Sequence, residues 1–187
     1  MIKNPRPSPL AKPSLSDVKA VRERARQHID EGAVTPNYGL EAKDVCEVLN
    51  SALASELVCV LRYKRHYFTA AGISSESVKA EFLAHANEEQ GHADRIAGRI
   101  VQLGGQPDLS PDGLSDRAHT EYVAGTTLRE MIKEDLVAER VGIESYREMI
   151  NWIGTRDSTT RIMLEEILAV EEEHAEDMSS LLKGLRD

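Results

Sequence analysis

Glu89-Gln90-Gly91-His92 and Glu171-Glu172-Glu173-His174 are the stretches that decide the fold of this chain. Each sets a glutamate and a histidine three residues apart, one helical turn along the same face. A lone glutamate precedes each at almost the same distance: Glu56 stands 33 residues before Glu89, and Glu139 stands 32 before Glu171. All six lie inside apolar stripes with spacings of three and four, the period of an amphipathic helix. The first stripe is Val45, Leu49, Ala52, Leu53, Val60 and Tyr63, and the second is Phe82, Ala86, Ile96 and Leu103. The third is Leu128, Ile132, Leu136, Ile143, Tyr146 and Ile150, and the fourth is Leu164, Ile167, Met178 and Leu181. Every stripe is interrupted in its middle by one of these glutamates or Glu-x-x-His pairs.

Glycine and proline mark the ends of these segments. The pattern predicts helices over 41–71, from 75 to Gly104-Gly105, from Thr127 to Gly154, and from 158 to about 185. Glu130, three residues after Thr127, completes a capping box at the third. Residues 106–126 form a long crossover with Pro107 and Pro111 and a short helix near 115–123. Two short connections and one long one describe an all-α fold: a four-helix bundle made of two antiparallel hairpins joined by a crossover. The domain organisation expected is an N-terminal tail with a short helix (near 16–29) over 1–40, then the bundle over 41–187.

Composition agrees with this fold. The 187 residues include 29% charged and 41% hydrophobic ones, which excludes a wholly disordered chain and a membrane span. Eight aromatics and seven prolines favour helix over an all-β design. Cys46 and Cys59, on one helix roughly 20 Å apart, cannot pair and are expected reduced. With no secretory pattern at the start, the expected location is cytoplasmic. The net charge of −9 is uneven: residues 1–28 carry seven Lys and Arg against Asp17 and Glu23, a net +5, leaving −14 for the remainder. A basic tail suits either contact with nucleic acid or a clamp on another subunit.

Four carboxylates at one level of an apolar core would repel one another and resist desolvation. Two divalent cations would neutralise them. Carboxylate and imidazole together suit iron or manganese, with zinc as a competitor. The solvated-face reading, in which acidic side chains meet surface cations, fits Glu172 and Glu173, which point away from the stripe. His85 shares the face of Glu89 and His92, as a supporting or iron-conducting group or as a hydrogen-bonded core residue. His28, His66 and His119 show no partner pattern. Trp152 is expected to pack, and Cys59 to be a buried, inert thiol near the site. Arg62, Lys64, Arg65, Arg147 and Glu148 read as a solvated outer face.

A Glu from each of two helices with a Glu-x-x-His from each of the other two is the pattern of di-iron carboxylate bundles. The chain resembles the ferritin-like superfamily, specifically bacterioferritin and its Dps-like relatives, over about residues 44–185. The resemblance extends to Leu49-Asn50 through Glu56 to Tyr63, to Leu103-Gly104-Gly105-Gln106-Pro107, and to Asp135-Leu136-Val137-Ala138-Glu139. It implies two Fe ions per subunit, with Glu89 and Glu171 bridging, Glu56 and His92 completing one metal, and Glu139 and His174 the other. Tyr63 corresponds to the tyrosine beside the ferroxidase centre of these families, a catalytic position, although a core aromatic reading is equally open.

Gln90 stands where the haem methionine of bacterioferritin would be, so no haem is expected. The chain ends soon after His174, without the fifth C-terminal helix of 24-subunit cages, which implies a 12-subunit homo-oligomer of the Dps kind. Classical Dps proteins build their site between subunits from another residue pattern, so here the site is expected within one subunit. The implied activity is a ferroxidase that oxidises Fe(II) with O2 or H2O2 for iron storage, detoxification and oxidative protection. The alternatives are a di-iron oxygenase or hydroxylase acting on an organic substrate, and a DNA-protecting protein acting through the basic tail.

Overall fold

A computed structural model describes residues 17–72 and 75–185. Residues up to Pro36 form one unit and those from Asn37 onward another. In the first, α1 (Val18–Arg24) is capped by Asp17, whose carboxylate accepts from the Lys19 amide at 3.0 Å. A 3₁₀ turn over Ile29–Glu31 follows, preceded by His28 in the left-handed region. The expected start at Ser16 lies outside the described residues. The helix also stops earlier than expected, because α1 buries no residue and a single exposed helix of this length has little to sustain it.

In the second unit, α2 (Ala42–Thr69) packs along α3 (Ser75–Gln102), and α5 (Leu128–Ile153) packs along α6 (Ser158–Gly184). The crossover between the hairpins holds α4 (Leu114–Arg117), shorter and earlier than the sequence suggests, packed against α2. No strand occurs among the described residues, and no helix there is long and apolar enough to cross a membrane. The stripes read from sequence form the core: Leu49, Leu53, Phe82, Ile96, Ile132, Leu164, Ile167 and Met178 are buried.

The helix ends follow from local chemistry. Thr127 caps α5 through the expected capping box with Glu130. At the end of α3 the Gly104 amide bonds to the Val101 carbonyl and the Gly105 amide to the Ile100 carbonyl, a Schellman closure. It needs Gly104 at φ 80°, a backbone that side chains disfavour. Gly105 then passes so close to Cys46 that a Cβ would lie 2.6 Å from its sulfur. Both cysteines are free and buried.

Polar residues lock the hairpins together. Asp157 caps α6 by accepting from the Thr160 amide, and it also receives Tyr38 Oη at 2.6 Å. Arg99 Nη2 reaches both its oxygens, at 3.0 and 2.9 Å, from the far end of α3. On the other side, Arg62 donates to Asp135 at 2.8 Å and to the Glu121 carbonyl at 3.0 Å. His66 places Nδ1 2.8 Å from Asp135 and Nε2 2.7 Å from the Ala124 carbonyl. This corrects two sequence readings: Arg62 and His66 are buried, because α5 brings Asp135 to this face of α2 and the crossover supplies the Glu121 and Ala124 carbonyls. Lys64, Arg147 and Glu148 are exposed as expected, and Arg65 is half-buried through its bond to the Ala124 carbonyl. Trp152, expected to pack, is 38% exposed with the Arg156 guanidinium over its ring.

Asp157→Ala would leave the buried Arg99 charge without its carboxylate, with only Thr160 and Gln102 as side-chain acceptors, an expected loss of about 3–5 kcal/mol. Thr127→Ala, at an exposed cap, should cost about 1 kcal/mol. Chemical denaturation at one protein concentration checks both values, and equal losses would contradict the structural ranking.

Candidate metal centre

Each of the four long helices sends its interrupting residues to one level of the bundle. Glu56 comes from α2, Glu89 and His92 from α3, Glu139 from α5, and Glu171 and His174 from α6. None is more than 5% exposed. The six therefore meet within one chain, and they sort into two overlapping groups. Glu56, Glu89, His92 and Glu171 form one, and Glu89, Glu139, Glu171 and His174 the other. Within each, the ligand atoms lie within 4.8 Å of one another. Glu89 and Glu171 belong to both, the sharing that a bridged cation pair requires.

The contacts are those of ligands facing a common centre. His92 Nδ1 lies 2.9 Å from Glu171, 3.3 Å from Glu56 and 3.7 Å from Glu89. His174 Nδ1 lies 3.2 Å from Glu89 and 3.8 Å from Glu139. Ligands on one ion with bonds of about 2.0–2.2 Å stand at comparable separations. None of these contacts has hydrogen-bond geometry. Among the described residues, buried side-chain atoms without a hydrogen-bond partner are Arg117 Nε and one atom from each of these six residues. Arg117 Nε has Asp108 at 3.1 Å. Buried polar atoms are ordinarily satisfied, so six orphans converging on two points fit a pair of metal ions.

The electrostatics agree. Burial, then the neighbouring Glu89 charge, pushes Glu56 and Glu171 far above the usual carboxylate range. Burial pulls the same way on Glu89, but Glu56, His174 and His92 offset it and hold that carboxyl below its ordinary value. Burial opposes protonation of His92, yet Glu56 and Glu89 raise it to about 9. Against the same opposition, Glu139 and Glu89 raise His174 to about 11. Without cations the cluster must therefore retain protons to limit its charge.

Two tyrosines complete the site. Tyr63 donates a short hydrogen bond to Glu139, and its oxygen stands 3.2 Å from His85 Nδ1. Tyr146 donates an equally short bond to Glu56. Each hydroxyl thus crosses from the helix of one outer glutamate to the outer glutamate of the other hairpin. Sequence reading placed Tyr146 only in the core stripe. The missed signal was its position seven residues after Glu139, as Tyr63 lies seven after Glu56. Glu88, also missed, lies 2.7 Å from His174 Nε2 and orients that ring. Cys59 lines a small cavity beside Glu56, its thiol pushed up by burial. His28 and His119 are exposed, and His119 lines the same small cavity as Cys59 and Glu56.

The stability of the metal-free protein should fall from pH 6.5 to 9. Over that interval His92 and His174 keep protons in the folded state that the unfolded chain releases, so rising pH favours unfolding, and the raised Glu56 and Glu171 carboxyls contribute with the same sign above their ordinary range. The opposite contribution of Glu89 acts only on the acid side of its ordinary value. Thermal unfolding of chelator-treated protein measures this, with divalent cation expected to remove most of the decline. A midpoint that stays level or rises would contradict the assignment.

Known proteins share this architecture. The family model described as "Ferritin-like domain" matches residues 46–187. A nutrient stress-induced DNA-binding protein of Synechococcus sp. is 31% identical over 156 residues, covering 80% of this chain and 89% of the relative. Bacterioferritin of Mycobacterium tuberculosis is 31% identical over 147 residues, covering 75% and 84%. Among solved structures, the dodecameric thioferritin of Bacteroides fragilis, a bacterioferritin-related protein, superposes with a TM-score of 0.74. It is 33% identical, over 78% of this chain and 88% of the other. Four helices around a carboxylate and histidine centre, and this match across most of the length, place the chain in the ferritin-like domain family.

Proposed function

We propose that the protein is a ferroxidase: it binds two Fe(II) ions in the six-residue centre and oxidises them with O2 or H2O2. The observation that carries this reading is the set of six orphaned ligand atoms shared between two groups. Two Fe(II) ions supply the two electrons that, with two protons, convert O2 to H2O2, or H2O2 to two waters. Glu56, Glu89, Glu139 and Glu171 balance the charge of the pair, and His92 and His174 supply its nitrogen ligands. Tyr63 and Tyr146 hold Glu139 and Glu56 in position, and Tyr63 is the nearby redox-capable phenol.

The cavity between Glu56, Cys59, Tyr146 and Glu171 has room for only about 10 Å³, one water-sized molecule. That size favours a small oxidant over the organic substrate of a hydroxylase. Iron or manganese fits the donor set, with zinc as a competitor. By analogy with the dodecameric Bacteroides relative, the product Fe(III) would collect inside a hollow homo-oligomer of twelve subunits.

Anaerobic Fe(II) titration followed by oxygen tests the proposal. The expected result is fast oxidation of about two irons per chain, then uptake of on the order of a hundred or more per particle. Glu171→Ala should lose the fast phase. Oxidation that halts at the first pair would indicate a discrete di-metal enzyme, and oxidation no faster than in buffer would refute the ferroxidase.

A second role, DNA protection, rests on the basic N-terminal segment and on the Synechococcus relative named as DNA-binding. Lys3, Arg6 and Lys12 lie outside the described residues, whereas Lys19, Arg22 and Arg26 are exposed and Arg24 is half-buried. Binding would be independent of sequence and steeply weakened by salt. Deletion of residues 1–28 should abolish it at low salt, and unchanged affinity by gel shift would dispose of the idea.

A further inference from the structure

The cavity beside Glu56 and Glu171 is distinguished by its chemistry as well as by its size. Ala52, Ala138, Gly142, Met149 and the Cys59 thiol line it, groups that offer little hydrogen bonding. Three hydroxyls on the same wall are engaged elsewhere. Ser55 donates to the Ser51 carbonyl at 3.0 Å and accepts from the His119 amide at 2.8 Å. Thr120 pairs with the Cys59 sulfur at 3.9 Å, and Tyr146 is committed to Glu56. The buried atoms left unpartnered there are Glu56 Oε2 and Glu171 Oε1, the oxygens that a cation pair would take.

Gly142 keeps this space open. It lies inside α5, three residues after Glu139, and its φ is not positive, so no backbone demand calls for glycine. Glycine is otherwise a poor residue for a helix interior. A Cβ at this position would meet one atom outside its own helix backbone within 4 Å, Glu171 Oε2 at 3.7 Å. A methyl group would therefore fit without displacing a neighbour, and it would take up cavity space beside that carboxylate. Ser145, Met149 and His119 also line a surface cleft of about 290 Å³, so cavity and cleft share a wall.

We propose that this cavity is a dioxygen-binding pocket, held open by Gly142 at the edge of the metal centre. A water or peroxide molecule needs about two to four polar partners in such a space, whereas an apolar space stays dry and takes up apolar gas. Dioxygen needs no hydrogen bond, and the engaged hydroxyls leave few to offer. The use of the bound gas rests on the ferroxidase reading above, whereas the pocket requires only its apolar walls.

Krypton, an apolar atom close in size to dioxygen, tests the pocket without turnover. Crystals of Zn(II)-loaded protein pressurised with krypton should show its anomalous density between Gly142 and Glu171. Gly142→Ala crystals should show none there and keep their zinc. An empty cavity, or ordered water in the place of krypton, would overturn the pocket. In anaerobic titration Gly142→Ala should bind as many Fe(II) ions per chain as the wild type. In stopped flow it should need about tenfold more O2 to reach half its maximal rate. An unchanged O2 requirement would overturn the pocket's part in oxidation. Krypton bound beside a centre without zinc would uphold the pocket and overturn the paired-metal reading instead.

Discussion

Four carboxylates held at one level of an apolar bundle are the constraint on which the rest of this structure depends. No arrangement of four helices could bury them together as anions without cancelling their charge. Protons do so in part, on Glu56, Glu171 and the two imidazoles. Cations would do so better, because they would also satisfy the six orphaned atoms that protons leave facing one another. Cations held there would couple folding to metal binding, and the same groups that weaken the bundle without them would become cross-links between its helices.

A near two-fold repetition organises the solution. Each hairpin contributes a lone glutamate, a Glu-x-x-His and a tyrosine seven residues beyond the lone glutamate. The tyrosines do not serve their own hairpin: Tyr63 reaches Glu139 and Tyr146 reaches Glu56. Each hydroxyl occupies one oxygen of an outer glutamate and leaves the other oxygen unpartnered toward the centre. The symmetry is broken at His85, which lies beside Tyr63 and connects that side alone to the carboxylates at the surface.

A second layer of buried charge keeps the ligand helices in register. Arg99 joins the end of α3 to the cap of α6 through Asp157, and Arg62 joins α2 to α5 through Asp135. Removing one partner of such a pair leaves an uncompensated buried charge, so each acts as a latch more than as a source of net stability. Arg62 and His66 also bind the crossover by its carbonyls, which lets a long irregular connection cover a helix face without losing its backbone hydrogen bonds.

Sequence by itself determined the four helices, their capping and glycine stops, and the six residues of the centre. Those features are periodic or local: an apolar stripe broken at matched positions, a Thr-x-x-Glu box and a Gly-Gly exit each act within a few residues. The sharing of Glu89 and Glu171, which the sequence offers only through its family resemblance, gains a geometric basis from the tertiary structure, because it depends on how α3 and α6 face each other across the bundle. Only the tertiary structure decided that Arg62 and His66 are buried, since their partners Asp135 and Ala124 lie 73 and 58 residues away and arrive with α5 and the crossover. Tyr146 was half legible, as a repeat of the spacing that marks Tyr63, but its target is on another helix. The pairing of His85 with Asp177 had no local signature, because their contact exists only once α3 and α6 are packed together.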